Sequence, residues 1–130
     1  MSYLLDKNVC IRIINGRSVL ARQKLLSHPA DEIIVCSIVR AELFYGASKS
    51  RTPEATQRKQ ALVLIPFASL PFDDAAAAMY GKIRAELEQA GTPIGPLDLQ
   101  IAAIALAHQL TLVTHNTREF SRIPHLQLED

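Results

Sequence analysis

Several things are scarce in this sequence. Only two cysteines occur among its 130 residues, Cys10 and Cys36. They lack the spacing of a metal site or a disulfide framework, so both are expected as reduced, largely buried thiols of a cytoplasmic protein. An excess of one charge is missing too. The net charge is +1, so any contact with nucleic acid has to come from a local basic patch. No run of 18 apolar residues is present, which leaves no spanning helix and no expected membrane partner. The basic, apolar and small-residue segments of a signal peptide are also missing, and none is expected. Glycine-rich phosphate loops do not occur, which weighs against nucleotide hydrolysis of the P-loop kind.

What is present suits a folded chain. Apolar residues make up 48% and charged residues 21%, a balance that excludes disorder and fits one domain over residues 1–130. Tyr3-Leu4-Leu5 is a short apolar run that ends in Asp6. It reads as a central strand of a parallel sheet, buried on both faces, with Asp6 delivered to the edge where such folds bind ligands. Val9, Cys10, Ile13 and Ile14 follow at helical spacing until Asn15-Gly16 stops them. A second helix is expected from Ser18 to Ser27, a strand over Ile33–Cys36, and a helix capped by Ser37 and running to about Ala47. Lys49, Arg51, Arg58 and Lys59 then flank a connection and the start of another helix. They read first as a solvated face and second as a phosphate-contacting patch. Pro66–Phe72 is expected to hold a short strand, and Asp73-Asp74 to cap a helix that ends near Gly91. Pro96 opens an almost wholly apolar helix with Asp98 in its first turn. Leu110–Val113 is the last confident strand, before Thr114-His115-Asn116, and a small edge strand is expected around Leu126–Leu128. Strands alternating with helices give an α/β class, a three-layer α/β/α sandwich around a central parallel sheet.

Three acids stand out because their neighbours are apolar: Asp6, Glu42 and Asp98. Asp6 and Asn116 both follow strands, so a parallel sheet puts them at one edge. Helices that start after strands begin there too, which brings Glu42 and Asp98 towards the same place. Carboxylates within about 5 Å of one another repel by roughly 1–4 kcal/mol per pair, so such a cluster takes up protons or a cation. Hard oxygen donors favour Mg²⁺ or Mn²⁺, and a carboxylate-held divalent ion at an open cleft suits phosphate chemistry. Plainer roles compete with this. The plainer reading of Asp98 is a first-turn acid favoured by the helix dipole, and that of Glu42 is a pairing with Arg40 or another basic residue. His108 and His115 lack ligand spacing and read as ordinary polar residues.

Four stretches in order carry a resemblance: Leu4-Leu5-Asp6; Ala41-Glu42-Leu43-Phe44-Tyr45-Gly46-Ala47; Gly95-Pro96-Leu97-Asp98-Leu99-Gln100-Ile101-Ala102-Ala103; and Val113-Thr114-His115-Asn116-Thr117-Arg118-Glu119-Phe120. Together they resemble the PIN-domain ribonucleases, and more narrowly the VapC toxins of bacterial type II toxin–antitoxin pairs. The resemblance spans essentially the whole chain. It implies a Mg²⁺- or Mn²⁺-dependent endoribonuclease with Asp6, Glu42 and Asp98 at the acidic metal positions. Asn116 falls where many relatives have a fourth acid, with Glu119 as the substitute. It further implies attack of a metal-activated water on an RNA phosphodiester, leaving 5′-phosphate and 3′-hydroxyl ends, with initiator tRNA cut in its anticodon stem-loop. The implied partners are a cognate VapB-type antitoxin that places a basic side chain in the acidic site, a second copy in a homodimer, and operator DNA through the antitoxin alone.

One departure stands out. Relatives carry threonine or another small hydroxyl residue after the first aspartate, and here the residue is Lys7. Its ammonium is expected to act as a counter-ion near Asp6 and to compete with the metal. That keeps open a second class of function, a catalytically silent PIN-like domain that binds RNA or antitoxin. A phosphorylated receiver domain fits less well, since Asp73-Asp74 reads as a helix start and no lysine follows Asn116. A haloacid-type phosphatase would need an aspartate at the position of Asn8.

Overall fold

The computed structural model describes residues 2–16 and 18–130. Its four strands, β1 (Tyr3–Leu5), β2 (Ile33–Ile34), β3 (Thr111–Val113) and β4 (Leu128–Glu129), form one sheet in the order β2-β1-β3-β4. Every pairing is parallel, with Leu4 opposite both Ile34 and Leu112, and Leu5 opposite Val113. Leu4 and Leu112 are fully buried, as strands covered on both faces require.

Seven helices are described: α1 (Lys7–Asn15), α2 (Val19–Leu26), α3 (Ser37–Ser48), α4 (Pro53–Leu64), α5 (Asp74–Gln89), α6 (Pro96–Ala107) and α7 (Thr117–Phe120). They flank the sheet in two groups. α1 packs on α2, α3 and α4, α5 packs on α6, and a contact between α3 and α6 joins the groups. Local chemistry sets their limits. Gly16 closes α1 in the left-handed conformation, φ +65°, which a side chain adopts only with strain. The Asp73 side chain accepts from the Ala76 N–H at the start of α5. α6 is the core helix: Ile101, Ala102, Ala103, Ile104 and Ala105 are all buried. None of the described helices is long and apolar enough to cross a membrane. Cys10 and Cys36 are free and buried, and burial pushes the Cys10 thiol up to about 12.

Three local expectations need correction. Ser37 is not the cap of α3; Cys36 holds that position in extended backbone and no side chain caps the helix. The 66–72 segment makes only an isolated bridge, Ala68 to Ile34, although Val35 and Ser37 donate to the Ala68 and Leu70 carbonyls. Pro66 and Pro71 bracket it and supply no N–H, which prevents a full strand. The tail also holds α7, a single turn too short to show helical periodicity, anchored by the fully buried Phe120.

Candidate active site

The sheet order places a topological switch at the C-terminal ends of β1 and β3. The chain leaves β1 towards β2 on one side and leaves β3 towards β4 on the other. A crevice forms outside such ends, and Asp6 and Thr114 stand there as neighbours. Asp6 is buried, with 6% of its surface exposed, and its N–H donates to the Val113 carbonyl at 2.9 Å. Its carboxylate is fixed from two sides. Oδ1 accepts from the Lys7 N–H at 2.7 Å as the cap of α1, and Oδ2 accepts from the Thr114 hydroxyl at 2.8 Å. The fully buried Thr114 hydroxyl accepts in turn from the Asn116 N–H at 3.0 Å. A buried carboxylate keeps its charge at low cost only with such donors.

Asp98 sits in the first turn of α6, half-buried. Burial and then the charges of Asp6, Glu119 and Glu42 raise its carboxyl from 3.8 to about 6, and Lys7 opposes them. The other three acids named from the sequence therefore all act on Asp98. Asn116 joins them, its Nδ2 donating to Glu119 Oε2 at 2.9 Å. Asn116 and Glu119 thus stand side by side, the amide holding the acid.

Glu42 pairs with a basic residue, as its plainer reading expects, but the residue is Lys7 and not Arg40. Its Oε2 lies 2.9 Å from Lys7 Nζ, while Arg40 donates to the Val35 and Phe67 carbonyls at 2.9 and 3.2 Å. Lys7 turns to Glu42 rather than to Asp6 because both Asp6 oxygens already accept hydrogen bonds. The Glu42 hydrogen bond, with the charges of Asp6 and Asp98, holds the Lys7 ammonium above the usual lysine range. His115 pairs with Asp130, and His108 with Asp73, so neither histidine enters the crevice. A cleft of about 490 Å³ opens beside the acids, walled by Ile11, Leu43, Tyr45 and Lys49 together with Lys7 and Glu42. The Lys49 ammonium lies 4.7 Å from the Tyr45 ring centre.

The donor set is wholly oxygen, and Asp98 is an acid whose ionised form lacks compensating charge. Both features fit a hard divalent cation. Among the described residues, however, no three acidic, histidine or cysteine side chains already converge closely enough to hold one. Glu42 is drawn to Lys7, and Asp6 is held by its own helix and by Thr114.

A model of the PIN domain matches residues 3–126. Ribonuclease VapC2 of Rickettsia felis is 43% identical, with 100% of this chain and 98% of the relative covered. The chain belongs to the VapC family of PIN-domain ribonucleases. A second VapC relative, the tRNA(fMet)-specific endonuclease of Shigella flexneri, is 38% identical over 100% of this chain and 98% of its own. Among solved structures, VapBC2 from Rickettsia felis bound to a DNA fragment from its promoter matches with a TM-score of 0.94 and 42% identity, covering 99% of this chain and 98% of that one. DNA-bound VapBC from Salmonella typhimurium matches with the same TM-score at 38% identity, covering 100% and 98%. The parallel α/β sandwich expected from the sequence is the fold of this VapC-family chain. Sequence reasoning missed Thr114 as a holder of Asp6. A threonine at the end of a buried strand, beside the end of the strand that bears the acid, was the available signal.

Proposed function

We propose that this chain is the toxin of a type II toxin–antitoxin pair, a divalent-metal-dependent endoribonuclease working in the cytoplasm as one PIN unit over residues 1–130. The raised carboxyl of Asp98 carries the reading. An acid half-buried against Asp6, Glu42 and Glu119 makes an open crevice that ionises readily only when it holds a cation. Asp6, Asp98 and Glu42 are the residues that would hold Mg²⁺ or Mn²⁺. Such an ion supplies neutralising charge for a phosphoryl oxygen and a more acidic water. The chain's own groups do the rest. Thr114 orients Asp6, Asn116 holds Glu119, and Tyr45 with Lys49 lines the cleft beside Glu42 for a base and a phosphate.

Initiator tRNA is the substrate favoured by the likeness to the tRNA(fMet)-specific endonuclease of Shigella flexneri. A VapB-type antitoxin, with operator DNA bound through it, is supported by the DNA-bound VapBC complexes. Exposed Val19, Leu20 and Leu26 on α2, Phe44 on α3, Leu62 on α4 and Ile65 just past its end favour burial against the antitoxin and a second copy. The chemistry of the cut ends tests the hydrolytic reading. Cleaved initiator tRNA should carry 5′-phosphate and 3′-hydroxyl ends. Ends bearing 2′,3′-cyclic phosphate would mean attack by the RNA's own hydroxyl and would contradict it.

One observation favours a second reading, a PIN-like domain that binds RNA or antitoxin without cutting. The Lys7–Glu42 ion pair already neutralises part of the acidic crevice. Tight RNA binding with no cut ends in Mg²⁺ or Mn²⁺ would select it.

A further inference from the structure

The Lys7–Glu42 contact has a meaning for the metal itself, provided that the crevice takes a divalent ion as proposed above. Lys7 is the first residue of α1 and directly follows Asp6. Its side chain spans to α3 and places Nζ 2.9 Å from Glu42 Oε2, so it ties the two helices across the mouth of the acidic crevice. Of the charges acting on Asp98, Lys7 is the one that favours its ionised form. The ammonium thus faces Asp6, Glu42 and Asp98 together, the same oxygens that a divalent ion requires. We propose that Lys7 is a built-in counter-ion of this site, holding Glu42 while the metal is absent and competing with the metal for it.

An ammonium and a divalent ion cannot both sit close to the same carboxylate oxygen without repelling each other, so a metal held by Glu42 Oε2 displaces Lys7, and one held by the other oxygen is still repelled by the ammonium. The way out is open, because the Lys7 side chain is 38% exposed against 21% for Glu42. A four-carbon stem swings to solvent more easily than the less exposed acid moves. Among the described residues no ready-made metal cluster is present. Glu42 is engaged elsewhere, and its Oε2 joins Asp6 and Asp98 only after Lys7 lets go. The consequence is a site of weakened affinity, filled only when divalent ion is plentiful.

The test is Mn²⁺ binding to the full chain, read from the paramagnetic resonance signal of free Mn²⁺ and independent of cleavage. Lys7→Met keeps the stem and removes the charge, and should bind Mn²⁺ roughly tenfold more tightly than the parent chain. Lys7→Arg keeps the charge and should bind no more tightly than the parent. The Glu42→Gln change should cost more affinity beside Lys7→Met than in the parent, because only there is Glu42 free to act. Equal affinity in the parent and Lys7→Met overturns the proposal, as does a gain in Lys7→Arg equal to that in Lys7→Met. Failure of every chain to bind Mn²⁺, with or without RNA, overturns the metal reading of the crevice itself, and is told apart from competition by the silence of Lys7→Met.

Discussion

At Asp98 burial and three neighbouring acids work in the same direction. Together they raise its carboxyl from 3.8 to about 6, so the folded chain keeps this proton over a range where the unfolded chain has released it. Stability of the metal-free protein therefore falls as pH rises from about 4 to about 6 on account of this group, and the loss is complete above that. Asp98→Asn removes the charge at little change in size. The variant should match the parent near pH 4 and exceed it in metal-free denaturation at pH 7 by about 1 kcal/mol, less than full linkage because Asp98 is only half-buried. Loss of stability at pH 7 would contradict this account of the crevice. The same substitution should abolish cleavage, so stability and activity move in opposite directions at one residue. Asp6, more deeply buried, is held in place by the Lys7 N–H and the Thr114 hydroxyl.

Between elements, the contact that sequence reasoning assigned to Glu42 belongs to the backbone. Arg40 on α3 donates to the carbonyls of Val35, just past β2, and of Phe67. It therefore pins the proline-bracketed 66–72 segment, which lacks the strand pairing to hold itself. Arg40→Met should lower the urea midpoint by an amount equal to about 1–3 kcal/mol with the slope unchanged, because two carbonyls lose charged donors. An unchanged midpoint would mean that water replaces the guanidinium without cost. The elements that were legible in the sequence are those set by local chemistry. Gly16 ends α1, Asp73 caps α5 and Pro96 opens α6 as their residue types require. The cap at Cys36 and the single turn of α7 were not legible, since neither carries a capping side-chain bond or a periodic apolar face.

For the whole molecule, the parallel order β2-β1-β3-β4 turns four distant stretches of sequence into one crevice. The apolar run before Asp6 and the alternation of strands and helices made that edge readable. Which oxygen meets which donor was not readable, because the Thr114–Asp6 bond spans 108 positions and the Lys7–Glu42 pair joins two helices. Such contacts are fixed by packing and leave no periodic trace. The central claim is that Asp6, Glu42 and Asp98 form a divalent-ion site that cuts RNA. The most direct measurement follows end-labelled initiator tRNA with the parent chain and Asp98→Asn, each with Mg²⁺, with Mn²⁺ and with chelator. The account predicts cleavage by the parent chain in either ion, none with chelator and none by Asp98→Asn. Cleavage that survives chelation, or that persists in Asp98→Asn, would contradict it.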